Sequence, residues 1–221
     1  MRKFGLLALA SVAALSAVPA QAASFISFTP NVGTVPAYIG TPSFSQDFGT
    51  GTANSTPFTA GAGESVSGTV NLYNSDVSGE AVGPVNKTGN FLSVLNGSYQ
   101  IAFSSGVSVV SFLIGGLDSY NSVTLNFVGG GTQTLTGREV IGLNPVGAPT
   151  NSGETGRVTY DFGSGPKLSS ISFNSSQPAF EIDDIVAAAP EPSTWLMMIL
   201  GFGLVGGALR RRRNEGSLAA A

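Results

Sequence analysis

The chain has 221 residues and a net charge of −3, and it is rich in glycine (30) and proline (12) but has only 10% charged residues. This composition favours one exported domain rich in β-strands and turns over a helical bundle or a cytosolic enzyme. Cysteine and histidine are both absent, which excludes disulfides, thiolate and imidazole metal sites, and Ser-His-Asp or Cys-His catalysis.

The charges are distributed unevenly along the chain. Most of the basic residues lie at the two ends, in residues 2–3 and 210–213. Residues 23–189 hold 4 basic and 11 acidic residues, so this segment carries a net charge of −7. An acidic central segment argues against nucleic acid as a partner.

The first 22 residues have the pattern of a secretory signal peptide. A basic pair at residues 2–3 precedes an apolar run at residues 4–18, and Ala20 and Ala22 are separated by one residue. Signal peptidase recognises this small-x-small pattern, so we expect cleavage after Ala22 and export by the general secretion machinery. An uncleaved membrane anchor is the alternative interpretation.

Residues 23–189 are predicted to form an all-β domain. In SVTLNF, the side chains of Val123, Leu125 and Phe127 share one face of a strand, and the polar residues between them share the other. RVTYDF, SSISF and SYQIAF alternate similarly, whereas VSVVSFLI indicates a more fully buried strand. About ten short strands without a convincing helix predict a β-sandwich, most simply a jelly roll.

Two glycine-rich stretches are predicted to be connections. Gly129–Gly131 separates two strand patterns and indicates a hairpin turn, since no helix follows as a phosphate-binding loop requires. Gly49–Ser65 is low in apolar residues and is predicted to be a long loop.

Asp118, Tyr120 and Asn121 lie in a predicted loop between two apolar strands. One hypothesis makes this a ligand loop, in which Tyr120 stacks on a sugar and Asp118 and Asn121 bind its hydroxyl groups. The alternative is an Asp/Asn turn whose tyrosine closes the edge of the core.

The last strand, within PAFEIDDIVAAAPEP, contains three acidic residues. Its alternation slips at Asp183-Asp184, which predicts a β-bulge. The segment is similar to the closing strand of jelly-roll sugar-binding modules, and this resemblance implies Asp183 and Asp184 as candidate ligands of a structural calcium. The alternative is that their carboxylates accept backbone N–H groups of the bulge.

Glu181 and Asp183 share one face of the last strand about 6.6 Å apart. This spacing is compatible with the carboxylate pair of a glycosidase, but neighbours on one strand are a weak basis for catalysis.

The segment PEPSTWLMMILGFGLVGGALRRRR, residues 190–213, has three ordered parts. Pro190 and Pro192 favour an extended backbone. The uncharged run from Trp195 to Leu209 predicts a single transmembrane helix about 22 Å long, short for a hydrocarbon core of about 30 Å. The arginines that follow are expected to stay in the cytoplasm.

This segment resembles the PEP-CTERM sorting signal of Gram-negative bacteria. The residues that carry the resemblance are Pro190, Glu191, Pro192, Trp195, Gly201, Gly203, Arg210, Arg211, Arg212 and Arg213. The resemblance implies an exosortase as partner, a membrane protease or transpeptidase that removes the tail near the PEP motif. It also implies an inner-membrane intermediate, followed by release to the cell surface or extracellular matrix of a bacterium that makes exopolysaccharide.

Four segments are therefore predicted: a signal peptide (1–22), an exported β-sandwich (23–189), the sorting signal (190–213) and a disordered tail (214–221). The core is expected to be non-enzymatic and without a cofactor, with exopolysaccharide as its candidate ligand. A secreted glycan-active enzyme and a ligand-free matrix protein are the alternatives.

Overall fold

The computed structural model describes residues 25–31, 37–38, 40–51, 54–86, 88–143, 154–189 and 201–206. In this part of the chain eleven antiparallel β-strands form one sheet, and the all-β prediction is confirmed. The strands are β1 (Phe25–Pro30), β2 (Phe44–Gln46), β3 (Thr56–Pro57), β4 (Glu64–Tyr73), β5 (Phe91–Val107), β6 (Val109–Ile114), β7 (Asn121–Phe127), β8 (Thr132–Thr136), β9 (Gly156–Asp161), β10 (Leu168–Ser175) and β11 (Phe180–Ala188).

Strand β5 connects the two halves of the sheet. The strand order is β1-β9-β6-β11-β5-β10-β7-β8, while β2 pairs with β11 and β4 pairs with both β3 and β5. Residues 92–94 of β5 pair with β11, and residues 97–107 pair with β10. The predicted sandwich is thus built from one continuous sheet, because a strand of 17 residues is long enough to serve both halves.

Two glycines allow close backbone contact where β5 changes partner. Gly97 of β5 has a φ of 149° and lies opposite Gly68 of β4, whose φ is 73°. A Cβ atom on Gly97 would lie 1.9 Å from the Ser67 carbonyl oxygen. Larger residues would therefore force these two strands apart at this point.

The sheet curls around a single main core. Phe112 in β6 and Phe173 in β10 are three strands apart, which corresponds to about 14 Å in a flat sheet. Their ring centroids are nevertheless only 4.9 Å apart. The inner faces of the two halves therefore face each other, which confirms the sandwich-like prediction.

The side-chain patterns of two strands behave as predicted. Along β7, buried residues alternate regularly with half-buried ones, and five of the six residues of β6 are buried. Gly129–Gly131 forms the predicted hairpin between β7 and β8, where the Phe127 N–H donates to the Gly131 carbonyl at 3.0 Å.

Two local predictions were wrong. A 3₁₀ helix covers Gly137–Ile141, where no helix was expected; the Glu139 carboxylate accepts the Thr136 N–H at 2.9 Å and its hydroxyl at 2.8 Å. The predicted long loop Gly49–Ser65 contains β3 and the start of β4. Pairing between these strands uses the backbone, so it does not need the apolar side chains that the segment lacks.

Candidate functional site

A cavity of about 360 Å³ lies at one end of the sheet. Three chain segments line it: residues 79–82 before β5, residues 115–120 between β6 and β7, and residues 178–181 at the start of β11. At its wall, a Cβ atom on Gly115 would lie 2.1 Å from the Val82 carbonyl oxygen, so only glycine lets these segments approach so closely. The predicted ligand loop is thereby brought beside the first residues of the last strand.

Asn121 holds the predicted loop in place. Its side chain is fully buried, and Nδ2 donates to Ser175 Oγ and to the Ala179 carbonyl, both at 3.0 Å. Its Oδ1 accepts the Asp118 N–H at 2.6 Å, and its own N–H donates to the Asp118 carbonyl. Both amide hydrogens are used inside the protein, so the geometry favours a turn-forming role for Asn121 over direct contact with a ligand.

Tyr120 and Asp118 line the cavity as a hydrogen-bonded pair. Tyr120 is half-buried, and its hydroxyl oxygen lies 2.7 Å from Asp118 Oδ2 and 2.7 Å from the Pro178 carbonyl oxygen. The single hydroxyl hydrogen serves one of these acceptors at a time. Burial, followed by the hydrogen bond to Asp118, raises the pKa of Tyr120 above its usual value of 10.0, so the phenol stays protonated at neutral pH.

Glu181 is the buried acid of the cavity. It is 6% exposed, and its Oε1 accepts the Val82 N–H at 3.0 Å. Burial is the main cause that raises the pKa of Glu181 from the usual 4.5 to about 7; the nearby carboxylates of Asp118 and Asp76 add to the rise, and backbone hydrogen bonds oppose it. The sequence pattern pairs Glu181 with Asp183 on one strand face, but Asp183 is not among the residues that line this cavity.

We expect stability to depend on pH through Glu181. The folded state holds the Glu181 proton more tightly than the unfolded chain does. The protonated side chain therefore contributes fully to the free energy of unfolding below about pH 4.5, and this contribution is lost as pH rises through 7. The loss amounts to about 3 kcal/mol. Glu181→Gln keeps the acceptor for Val82 and cannot ionise. Urea unfolding should find this variant as stable as the wild type at pH 4 and more stable at pH 8. Stability curves that run parallel over this range would contradict the expectation.

The predicted bulge at Asp183-Asp184 is confirmed. The register of β11 on β6 shifts between Asp183 and Val186, and Asp184 has a φ of 43°. Asp183 is fully buried, and its Oδ1 accepts the Asp184 N–H at 2.6 Å. The Asp184 carboxylate forms an ion pair with Arg157, which is 4% exposed and whose Nη1 lies 3.3 Å from Ser111 Oγ.

These contacts favour the alternative interpretation of Asp183 and Asp184, a bulge whose carboxylates bind protein groups, while calcium binding there stays a prediction. Calcium takes about six to eight oxygen ligands. Over the residues that the structure covers, no group of three or more acidic, histidine or cysteine side chains is placed to hold a metal ion. The Asp184 carboxylate, moreover, already has Arg157 as its counter-charge.

We therefore expect the same melting temperature in calcium and in chelator, since a ligand stabilises only a state that binds it. Differential scanning calorimetry makes the comparison. A higher melting temperature in calcium, abolished by Asp183→Asn/Asp184→Asn, would instead support calcium binding at the bulge.

Most residues of the predicted targeting segments lie outside the described part of the chain. These are Ala20, Ala22, Pro190, Glu191, Pro192, Trp195, Arg210, Arg211, Arg212 and Arg213. Gly201 and Gly203 fall in an exposed helix at residues 201–206. Within the described residues, no helix is long and apolar enough to span a membrane. The signal peptide and the transmembrane helix remain predictions from the sequence.

The C-terminal segment matches a known protein family model, described as the PEP-CTERM protein-sorting motif, over residues 188–213. The chain carries a PEP-CTERM sorting motif. This motif implies an exported protein that is processed at the membrane, with an exosortase as its processing partner. The match begins at Ala188, the last residue of β11, so the sorting motif follows the folded core directly. No curated protein matches the chain.

Proposed function

We propose that this chain is a surface or extracellular-matrix protein of a Gram-negative bacterium, and that its β-sandwich core binds polysaccharide without cleaving it. The sorting motif carries the proposal: it begins where the last strand ends, so the folded core is the part delivered outside the cell. Signal peptidase acts at the N-terminal end, and the C-terminal helix holds the chain in the inner membrane until the exosortase removes it.

The cavity supports the binding role. Its volume of about 360 Å³ falls in the usual range for small-molecule sites, and a single sugar unit fits such a space. The Tyr120 ring offers an apolar face, and the carboxyl oxygens of Asp118 and Glu181 are acceptors for sugar hydroxyl groups. In this proposal Asn121 only positions the loop, through the hydrogen bonds described above.

Glycan-array binding tests this role. All eleven strands of the described residues lie between Phe25 and Ala188, so residues 23–189 contain the whole sheet. We expect binding to a subset of polysaccharides, and we expect Tyr120→Ala to weaken it at least about tenfold through lost stacking. Tyr120→Phe keeps the ring and tests the hydroxyl alone, while Ser164→Ala, in the exposed turn after β9, is the matched surface control. If Tyr120→Ala binds the same glycans as tightly as the wild type, the assignment of binding to this cavity is wrong. If the wild type binds no glycan on the array, the result favours the ligand-free matrix protein.

One observation favours a glycan-active enzyme as the second candidate. Glu181 and Asp118 come from different segments and line one cavity, as the two carboxylates of glycosidases do. A buried glutamate whose pKa is raised to about 7 also resembles a general acid. Release of reducing ends from a bound glycan, abolished by Glu181→Gln with binding retained, would establish the enzyme over the binding protein.

A further inference from the structure

The first residue of β1 and the last residue of β11 lie at the same end of the sheet. Phe25 pairs with Asp161, Asp161 pairs with Val109, and Val109 pairs with Ala188. These four residues form one row across β1, β9, β6 and β11, and three inter-strand steps separate its ends by about 14 Å. We define the junction end as this row with the adjoining turn at residues 162–167.

The cavity lies at the opposite end. Ile182 of β11 pairs with Ile114 of β6, and the next residues, Gly115 and Glu181, line the cavity. Glu181 and Ala188 are seven positions apart along β11, which corresponds to about 23 Å along the strand. The cavity and the junction end therefore occupy opposite ends of the core.

The core leaves almost no free chain before the sorting segment. The Ser108 N–H donates to the Ala188 carbonyl at 3.0 Å, and the Ala189 N–H donates to Ser43 Oγ at 3.1 Å. Only residues 190–194 separate Ala189 from Trp195, where the uncharged run begins. The six Cα–Cα steps from Ala189 to Trp195 span at most about 22 Å when fully extended.

From this geometry we propose that the junction end faces the membrane and contacts the exosortase while the tail is removed. A protease that acts between Ala189 and Trp195 has to work within about 22 Å of the folded core, because the connecting chain allows no greater separation. The cavity then points away from the membrane. The predicted signal-peptide cleavage after Ala22 lies three residues before Phe25, so the N-terminal membrane segment would hold the core by the same end. This inference rests on the sorting motif and does not depend on glycan binding.

Single-cysteine cross-linking tests the orientation, since the chain has no cysteine of its own. Ser164→Cys lies in an exposed turn at the junction end, and Ser119→Cys, its matched control, lies in an exposed turn at the cavity end. Each full-length chain is labelled with a short photo-cross-linker in cells that contain a catalytically inactive exosortase. We expect at least about fivefold more exosortase adduct from residue 164, because the short connection raises the effective concentration at that end.

A second variant tests whether the short connection between the core and the sorting segment causes the higher adduct from residue 164. A flexible Gly/Ser linker of about 20 residues, inserted between Ala189 and Pro190, should reduce the adduct from residue 164 to the level from residue 119. Equal adducts from both positions without the linker would overturn the inference, as would no adduct from residue 164 in a chain that active exosortase still processes. Processing is followed separately by the mass of the mature C-terminus, so a chain that keeps its tail would instead contradict sorting itself.

Discussion

Replacing Pro190, Glu191 and Pro192 with alanine should stop removal of the C-terminal tail and leave the full-length chain in the inner membrane. Membrane insertion depends on the uncharged run and the arginines after it, which this variant keeps. We expect recognition to depend on the Pro-Glu-Pro sequence, whose prolines favour an extended backbone, and alanines remove that restraint. Mass spectrometry of the mature protein and membrane fractionation report the two properties separately.

Two comparisons make this result specific. Ser193→Ala/Thr194→Ala changes the two residues between the PEP motif and Trp195, and this variant should be processed like the wild type. The unchanged chain in a strain that lacks the exosortase should accumulate at full length. A surface-localised protein that retains Arg210–Arg213 would show that the tail is a permanent anchor.

Arg157→Met should destabilise the core by about 2–3 kcal/mol, because Arg157 is buried while the Asp184 carboxylate that loses its partner is 31% exposed and stays partly hydrated. Arg157 is 4% exposed, and its guanidinium pairs with the carboxylate of Asp184 at the bulge of β11. Methionine matches much of the length and apolar surface of arginine, so loss of charge and hydrogen bonds dominates the effect. Urea denaturation measures the change, and the slope with denaturant shows whether unfolding remains two-state.

The Arg138–Glu154 pair provides the matched control. Its two side chains are 35% and 27% exposed, and Nη2 lies 3.0 Å from Oε1. Water screens a pair at the surface, so Arg138→Met should cost at most about 1 kcal/mol. Equal losses from the two variants would mean that the ion pair at the bulge contributes no more than one at the surface.

Local patterns predicted the strands well where one side of a strand is buried. Val123, Leu125 and Phe127 alternate with polar residues, and they occupy the buried face of β7 as expected. The slip at Asp183-Asp184 likewise indicated the bulge, because one extra residue reverses the faces of all that follow. Strand β3 was missed, since its two exposed residues pair through the backbone and leave no side-chain pattern.

The candidate site was predicted only in part. Asp118, Tyr120 and Asn121 stand together in the sequence, and an Asp/Asn turn was one of the two interpretations offered for them. Glu181 was not expected beside Asp118, because the two residues are 63 positions apart and meet only through the pairing of β6 with β11. Neither strand carries a signal for the other in its own residues.

Patterns of neighbouring residues were enough to predict the sorting motif of this protein and the class of its fold. Sorting signals act as short linear segments, and strand formation follows from a side-chain period of two, so both are written in neighbouring residues. Contacts between distant residues exist only in the folded chain: one cavity joins Glu181 to Asp118 and Tyr120, Arg157 faces Asp184, and the start of β1 and the end of β11 lie in one row of paired strands. Those contacts depend on which distant strands pair to bury a common core, and burial is a property of the whole sheet rather than of any one segment.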